Sequence, residues 1–403
     1  MKMTESREYI LCIGSGIWQM PSVEAMHRLG YGIIAVDLDP DAPGFKLADY
    51  IINLSAHDPG PIYDALNEMD FDLNLITLVF TTASRGCITT AAELAGKLGV
   101  AGPGIAPEST DILVDRNRFR NFLRENSLPS PESLVISDMD QIGDLEYPVV
   151  VKSNVNTSGS AGINLVEDAG GLEQAILSAQ KAGKTEYAIV EDFMLGKDIG
   201  VFGVFHRGKP FFISTVERMV DEQPHFLPQK YISPAGLNHR MEDILFDTYT
   251  KLGEYLKVSA GPFYVEFRVD EVRGRCYPIE CEPTVPAHID YLISKSAGIE
   301  TGELVILSLL DKICELPKIS VNGCAGCQFV YAETPGIIRE FEAPELDEGK
   351  GSTIIRKKAG DYAGYETAGD ICAVVYAGGR SREEVEESLD GIVKRFGIVT
   401  EAV

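Results

Sequence analysis

The chain is short of positive charge. Its 36 lysines and arginines stand against 61 aspartates and glutamates, a formal net charge of -25. A general nucleic-acid binder or a protein of anionic membranes needs a basic footprint, so neither class is expected. Cysteine is also sparse, at eight in 403 residues. Cys12, Cys276 and Cys281 fall in apolar, strand-like segments and read as reduced core thiols. Cys324-x-x-Cys327 is a single pair with no second pair at zinc-ribbon spacing, which gives a metal or redox role little support. No apolar run approaches the roughly 18 residues of a membrane span. The opening Met1–Tyr9 has no apolar run after its charges, so it is not read as a signal peptide, and a cytoplasmic protein is expected. Repeats and low-complexity tracts are missing too.

What remains is an ordinary globular composition, 45% hydrophobic, in a chain long enough for two or three domains. Tyr9–Ile13 reads as a buried strand and Gly14-Ser15-Gly16 as the turn after it. A helix over Pro21–Leu29 and a strand ending at Asp37 follow, a Rossmann-like opening. The third glycine of the dinucleotide fingerprint is absent, with Gln19 in its place, so an NAD site is set aside. Strands at Ala48–Asn53 and Leu75–Phe80 and helices at Ile62–Met69 and Thr89–Leu98 complete a first unit. Arg85 lies past the end of the last strand, where α/β sites sit, and is a candidate for a substrate carboxylate. A helix over Asp115–Glu125 opens the next unit. The segment 221–238 reads as a loop, Leu292–Leu310 mostly as helix, and Arg382–Phe396 as a final helix.

The informative stretch is Tyr147–Asp290. Pro148–Val151 is too apolar for a surface strand, yet it ends in Lys152, a point charge suited to a phosphate. The loop after it, through Ser158, Gly159, Ser160, Ala161 and Gly162, is small enough for backbone N–H groups to approach phosphate oxygens. Glu266 and Glu280 lie on two strands joined by a turn at Arg273-Gly274, so they can face each other. Facing carboxylates repel unless a cation intervenes, and Mg²⁺ accepts oxygen ligands while bridging to phosphates. Glu282 shares the facing of Glu280. Glu191 and Asp198 bracket Phe193 and Met194, a setting for a ribose hydroxyl and an adenine. His288 follows Pro286 and is a weaker candidate for substrate contact.

In this order the sequence resembles the ATP-grasp superfamily over roughly residues 9–310, nearest the carbamoyl-phosphate synthase-like and L-amino-acid ligase branches. Asp115-Arg116-Asn117 resembles the Asp-Lys that opens the family's nucleotide domain, with Arg116 in the lysine's place. Pro148–Lys152 resembles the second nucleotide lysine's strand, 158–162 the phosphate-covering loop, and Val190–Phe193 with Asp198 the nucleoside segment. Glu266 and Ile279-Glu280-x-Glu282 resemble the metal carboxylates and the Asn that follows, here Glu282. Two arginines usual in the family are replaced by Ala161 and Thr284.

The resemblance implies an α/β and α+β multidomain fold. A Rossmann-like N-terminal domain (1–108) would precede a two-subdomain ATP-grasp domain (109–310, divided near 186/187) and a small α+β C-terminal domain (311–403). It further implies a ligase using ATP and one or two Mg²⁺, with Mn²⁺ as a substitute, and joining a small carboxylate to an amine through an acyl phosphate. Lys152, Glu266 and Glu280 would be catalytic. Arg116, Lys152, Ser158, Gly159, Ser160, Gly162, Glu191, Phe193 and Asp198 would bind nucleotide, and Glu266, Glu280 and Glu282 the metal. A bicarbonate-activating enzyme and a non-catalytic nucleotide-binding subunit are the alternatives. A homo-oligomer is compatible with either.

Overall fold

The computed structural model describes residues 7–83, 85–138, 142–155, 162–221, 226–315, 319–346 and 351–402. The first four strands are β1 (Tyr9–Ile13), β2 (Gly32–Val36), β3 (Tyr50–Ile52) and β4 (Ile76–Phe80). They form a parallel sheet in the order β3-β2-β1-β4. Helix α1 (Met20–Arg28) connects β1 to β2 and α2 (Pro59–Glu68) connects β3 to β4, and α3 (Arg85–Leu98) follows β4. Leu11, Ile13, Ile34 and Val36 pack into one cluster and Ile10, Cys12, Ile33 and Ala35 into another. Both faces are therefore covered, and for that reason these strands read as unbroken apolar runs. Asp37 accepts the Ser15 N–H at 2.8 Å and so holds the turn after β1.

Helices α4 (Pro107–Val114) and α5 (Arg116–Glu125) lead into a second sheet, built from β5 (Ser133–Ile136), β6 (Val149–Ser153), β7 (Asn164–Val166) and β8 (Ala188–Asp192), in the order β5-β8-β6-β7. Helix α6 (Leu172–Gly183) covers one face, with Leu172, Ala175, Ile176 and Ala179 on Val149, Val151 and Val190. The side chains of β6 alternate, so Val150 and Lys152 face the other way.

The largest sheet has eight antiparallel strands. Five are β9 (Lys197–His206), β10 (Lys209–Asp221), β11 (Leu227–Ser233), β12 (Gly261–Asp270) and β13 (Arg275–Glu282). Helix α7 (His239–Tyr255) lies between β11 and β12 in the chain, and α8 (Ala287–Ala297) and α9 (Thr301–Leu309) follow β13. Then come β14 (Cys324–Val330), β15 (Gly336–Glu342), β16 (Ser352–Ile355), β17 (Tyr362–Ala363), β18 (Ala373–Gly379), α10 (Arg382–Val393) and β19 (Gly397–Glu401). The order β13-β12-β9-β10-β11-β14-β18-β16 runs as one ladder from the carboxylate strands into the last hundred residues, and β17-β15-β19 form a separate small sheet.

Two expectations are corrected here, the loop at 221–238 and the end of the last helix. The presumed loop 221–238 contains β11, whose Leu227, Tyr231 and Ile232 are buried while prolines 228 and 234 disguise the pattern. The segment 292–310, read mostly as helix, is helix to Ala297 and again from Thr301, with Gly298 at φ +66° capping α8. The last helix stops at Val393, and the chain continues as β19 against β15. Among the described residues no helix is long and apolar enough to cross a membrane.

Candidate active site

The β5-β8-β6-β7 sheet and the eight-stranded sheet face each other across a cleft. Val150 and Lys152 of β6, Glu191 of β8, Phe193 and Met194, Asp198 of β9, Arg218 of β10, Glu266 and Arg268 of β12 and Ile279 of β13 line it. The lining mixes apolar side chains, among them Val150, Phe193, Met194 and Ile279, with the charged groups Lys152, Glu191, Asp198, Arg218, Glu266 and Arg268.

Helix α5 begins beside the end of β6. The Asp115 carboxylate caps it by accepting Arg118 N–H at 2.8 Å and also accepts from Asn154 Nδ2 at 2.9 Å, while Arg116 N–H donates to the Asn154 carbonyl at 2.9 Å. This clasp fixes Arg116, which donates from Nη1 to the carbonyls of Ser153 (2.7 Å) and Val155 (3.0 Å), with Nη2 3.7 Å from Glu280. Lys152 donates to Glu191 Oε2 at 2.8 Å. Arg120, at 0% exposure, takes Glu191 in a two-pronged pair at 2.6 and 3.3 Å. Burial alone would raise the Glu191 pKa, but Arg120 and Lys152 outweigh it and hold the carboxylate ionised. Burial draws the Lys152 pKa down, assisted by Arg120 and Arg116 and opposed by Glu191. Glu191, expected to accept a ribose hydroxyl, thus spends its two oxygens on cations.

On the opposite wall, Tyr264, Glu266 and Arg268 alternate with the core residues Val265, Phe267 and Val269. Glu266 is the direct cross-strand partner of Glu280, and Tyr264 of Glu282. Glu266 forms an ion pair with Arg218. Its pKa is nevertheless raised to about 7, first by burial and then by Glu280, Glu282 and Asp198, against the pull of Arg218. A divalent cation would fit this place, adding to the positive charge that Arg218 and Arg116 already bring to the facing carboxylates. Glu282 accepts the Thr284 hydroxyl at 3.1 Å. Among the described residues no three His, Cys, Asp or Glu side chains are grouped to cage a metal, so Glu266, Glu280 and Glu282 are not a ready-made three-carboxylate site. Mg²⁺ commonly binds through one or two carboxylates plus phosphates, for which two suffice.

Asp198 pairs with Arg268 at 3.1 Å, and Arg268 also donates to the Met194 carbonyl at 2.8 Å and lies 5.3 Å from the Phe193 ring centroid. Gly162 has φ +71°, and a Cβ there would meet Ala182 Cβ at 2.5 Å; close packing on α6 requires the glycine. Ser158, Gly159, Ser160 and Ala161 lie outside the described residues, as does the Arg85 side chain. His288 is not among the cleft-lining residues. It sits in an aromatic box of Trp18, Phe329 and Tyr376, with Nδ1 2.7 Å from the Tyr376 hydroxyl. Cys324 and Cys327 are buried and three residues apart on β14, so they point to opposite faces.

Sequence reasoning passed over Arg120, Arg218 and Arg268. A signal existed for the first. Arg116, Phe119, Arg120 and Leu123 occupy the i, i+3, i+4, i+7 stripe of α5, so two arginines sit where a buried face belongs.

Residues 145–290 match the ATP-grasp domain family. A protein described as the C-terminal section of the carbamoyl phosphate synthase large chain, from Methanopyrus kandleri, is 23% identical over 322 residues, 77% of this chain. The match covers 56% of that relative's length. The L-amino acid ligase of Bacillus licheniformis superposes with a TM-score of 0.82 at 19% identity, covering 98% of this chain and 100% of its own. The biotin carboxylase domain of the Hydrogenobacter thermophilus 2-oxoglutarate carboxylase, solved with MgADP and bicarbonate, gives 0.72 at 16% identity, covering 97% of this chain and 90% of its own. Likeness at these identities speaks to the fold. Residues 145–290 thus match the ATP-grasp domain, and the chain as a whole shares its fold with these solved structures.

Proposed function

We propose that the protein is an ATP-dependent carboxylate–amine ligase that forms an amide through an acyl phosphate and releases ADP and phosphate. The observation that carries this reading is the cleft, with Lys152 on one wall and Glu266 on the other, Glu266 paired across the ladder with Glu280 and Arg116 3.7 Å from Glu280. ATP lies between the sheets, its base beside Phe193 and Met194 and its phosphates toward Lys152 and Arg116. Glu266 and Glu280 would hold Mg²⁺, with Glu282 beside them, and the metal would supply charge neutralisation for the transferring phosphoryl group. A carboxylate oxygen of the substrate attacks the γ-phosphorus and ADP leaves. The amine nitrogen then attacks the acyl carbon, loses a proton, and inorganic phosphate departs. Phosphoryl transfer of this kind asks for positioning and charge more than for a base, which suits a site of cations and carboxylates.

A bicarbonate-activating enzyme is the second reading, supported by the carbamoyl phosphate synthase match. A screen of ADP release over amino acids, small carboxylates with amines, and bicarbonate separates the two. Release that needs a carboxylate–amine pair supports the ligase. Release with bicarbonate alone supports the alternative. ATP binding without turnover on any of them supports a nucleotide-binding subunit, a reading that rests on Ala161 and Thr284 replacing arginines. Failure of the folded protein to bind ATP overturns all three.

A further inference from the structure

We infer that Arg120 is a positioning residue that couples the phosphate lysine on one wall of the cleft to the carboxylate strand on the other. The inference rests on the nucleotide reading above. Arg120 is the bulkiest fully buried side chain described. Burying a guanidinium costs several kcal/mol even when paired, and a Met or Leu would fill the same volume at less cost, so its donors need a purpose. Each has one. Nε and Nη2 hold both oxygens of Glu191, and that carboxylate holds the Lys152 ammonium at 2.8 Å. The third nitrogen, Nη1, crosses to the eight-stranded sheet and donates to the carbonyls of Pro278 (3.2 Å) and Ile279 (3.0 Å).

Those two carbonyls belong to a bulge. In the β12–β13 ladder Glu266 opposes Glu280 and Phe267 opposes Pro278, so Ile279 is the extra residue. A bulge interrupts the ladder and leaves backbone groups needing partners, which the buried guanidinium supplies. The next residue is Glu280, aimed at Glu266 because the bulge sets its register. One planar group therefore fixes the Glu191 rotamer, through it the ammonium of Lys152, and separately the backbone that aims Glu280. Helix α5 can act as the bridge because its first turn is clasped to Asn154. A lysine at 120 could still pair with Glu191, but a single ammonium cannot also reach two carbonyls on the far wall.

The test is calorimetric titration of the intact protein with ATP, with and without Mg²⁺, for wild type, Arg120→Lys and Arg120→Met. Hydrogen exchange of the nucleotide-free proteins is followed over 275–282. In Arg120→Lys, Mg²⁺-free affinity should stay within about threefold of wild type while the gain in affinity on adding Mg²⁺ falls about tenfold, the loss expected for one charge-assisted bond. In Arg120→Met both quantities should fall, and in both variants exchange should quicken at the bulge. Unchanged titrations and unchanged exchange in a folded variant overturn the inference. So does an equal loss of the two quantities in Arg120→Lys, the mark of a merely structural residue. If Arg120→Met does not fold, Arg120→Lys decides. If wild type binds no ATP, the nucleotide reading fails, and unchanged exchange at 275–282 in Arg120→Lys still counts against Arg120 separately.

Discussion

His288 offers a quantitative test of where the cleft ends. Its ring is enclosed by Trp18, Phe329 and Tyr376, and burial, assisted by nearby Arg356, lowers its pKa from 6.5 to about 4. The folded protein therefore keeps the imidazole neutral where the unfolded chain protonates it. At pH 8 the ring is neutral in both states and contributes no pH dependence. As the pH falls below 6.5 the unfolded state gains a proton that the folded state refuses, and stability is lost until the folded ring titrates near 4. Each pKa unit is worth about 1.4 kcal/mol, and linkage over this window gives a loss of about 2 kcal/mol between about pH 8 and pH 5. His288→Asn retains an acceptor near the Nδ1 position for the Tyr376 hydroxyl and cannot titrate. Urea unfolding of both proteins at a series of pH values should show the variant losing about 2 kcal/mol less than wild type over that interval. ATP affinity should be unchanged, because His288 lies outside the cleft lining. Parallel stability curves would refute the burial argument, and an ATP affinity weakened tenfold would return His288 to the site.

Other perturbations have definite signs. Lys152→Met should weaken ATP binding by about 1.5–3 kcal/mol, the worth of a hydrogen bond to a charged group, with binding isotherms as the measure. The Mg²⁺-dependent part of ATP binding should fade as pH drops below about 7, where Glu266 takes up a proton, and Glu266→Gln should be weak and flat across the same range. Asp290 is buried, and the lost hydration raises its pKa from 3.8 to about 6 despite hydrogen bonds from Thr301 and Ser294. A carboxyl whose folded pKa is raised favours folding most when protonated, so its contribution falls as pH rises through 6. Asp290→Asn should therefore stabilise the protein by up to about 3 kcal/mol at pH 8 and by far less near pH 4, measured by denaturant midpoints.

Much of this organisation was legible because its signals are local. The apolar run ending in Lys152, the 14-residue spacing of Glu266 and Glu280, and the strand–turn–helix opening each declare themselves within a few residues. What escaped reading depends on distant chain segments meeting. Arg218 and Arg268 look like surface positions of alternating strands until β9, β10 and β12 are laid side by side, when every second residue faces the cleft. Glu191 looks like a free acceptor until Arg120, 71 positions earlier, is brought against it. β11 was obscured by its prolines, and its burial follows from β10 and β14 on either side.

That placement of β11 bears on how the protein can be divided. A chain shortened after α9 would keep every cleft residue named here, yet it would strip β14 from β11, where Lys230–Ser233 pair with Ala325–Gln328. An edge carrying Tyr231 and Ile232 with unanswered amides is a template for another strand. The shortened protein should associate with itself along that edge even though its cleft is whole, so fragments meant for ligand work are better cut elsewhere, or the edge blunted with a lysine in place of Ile232.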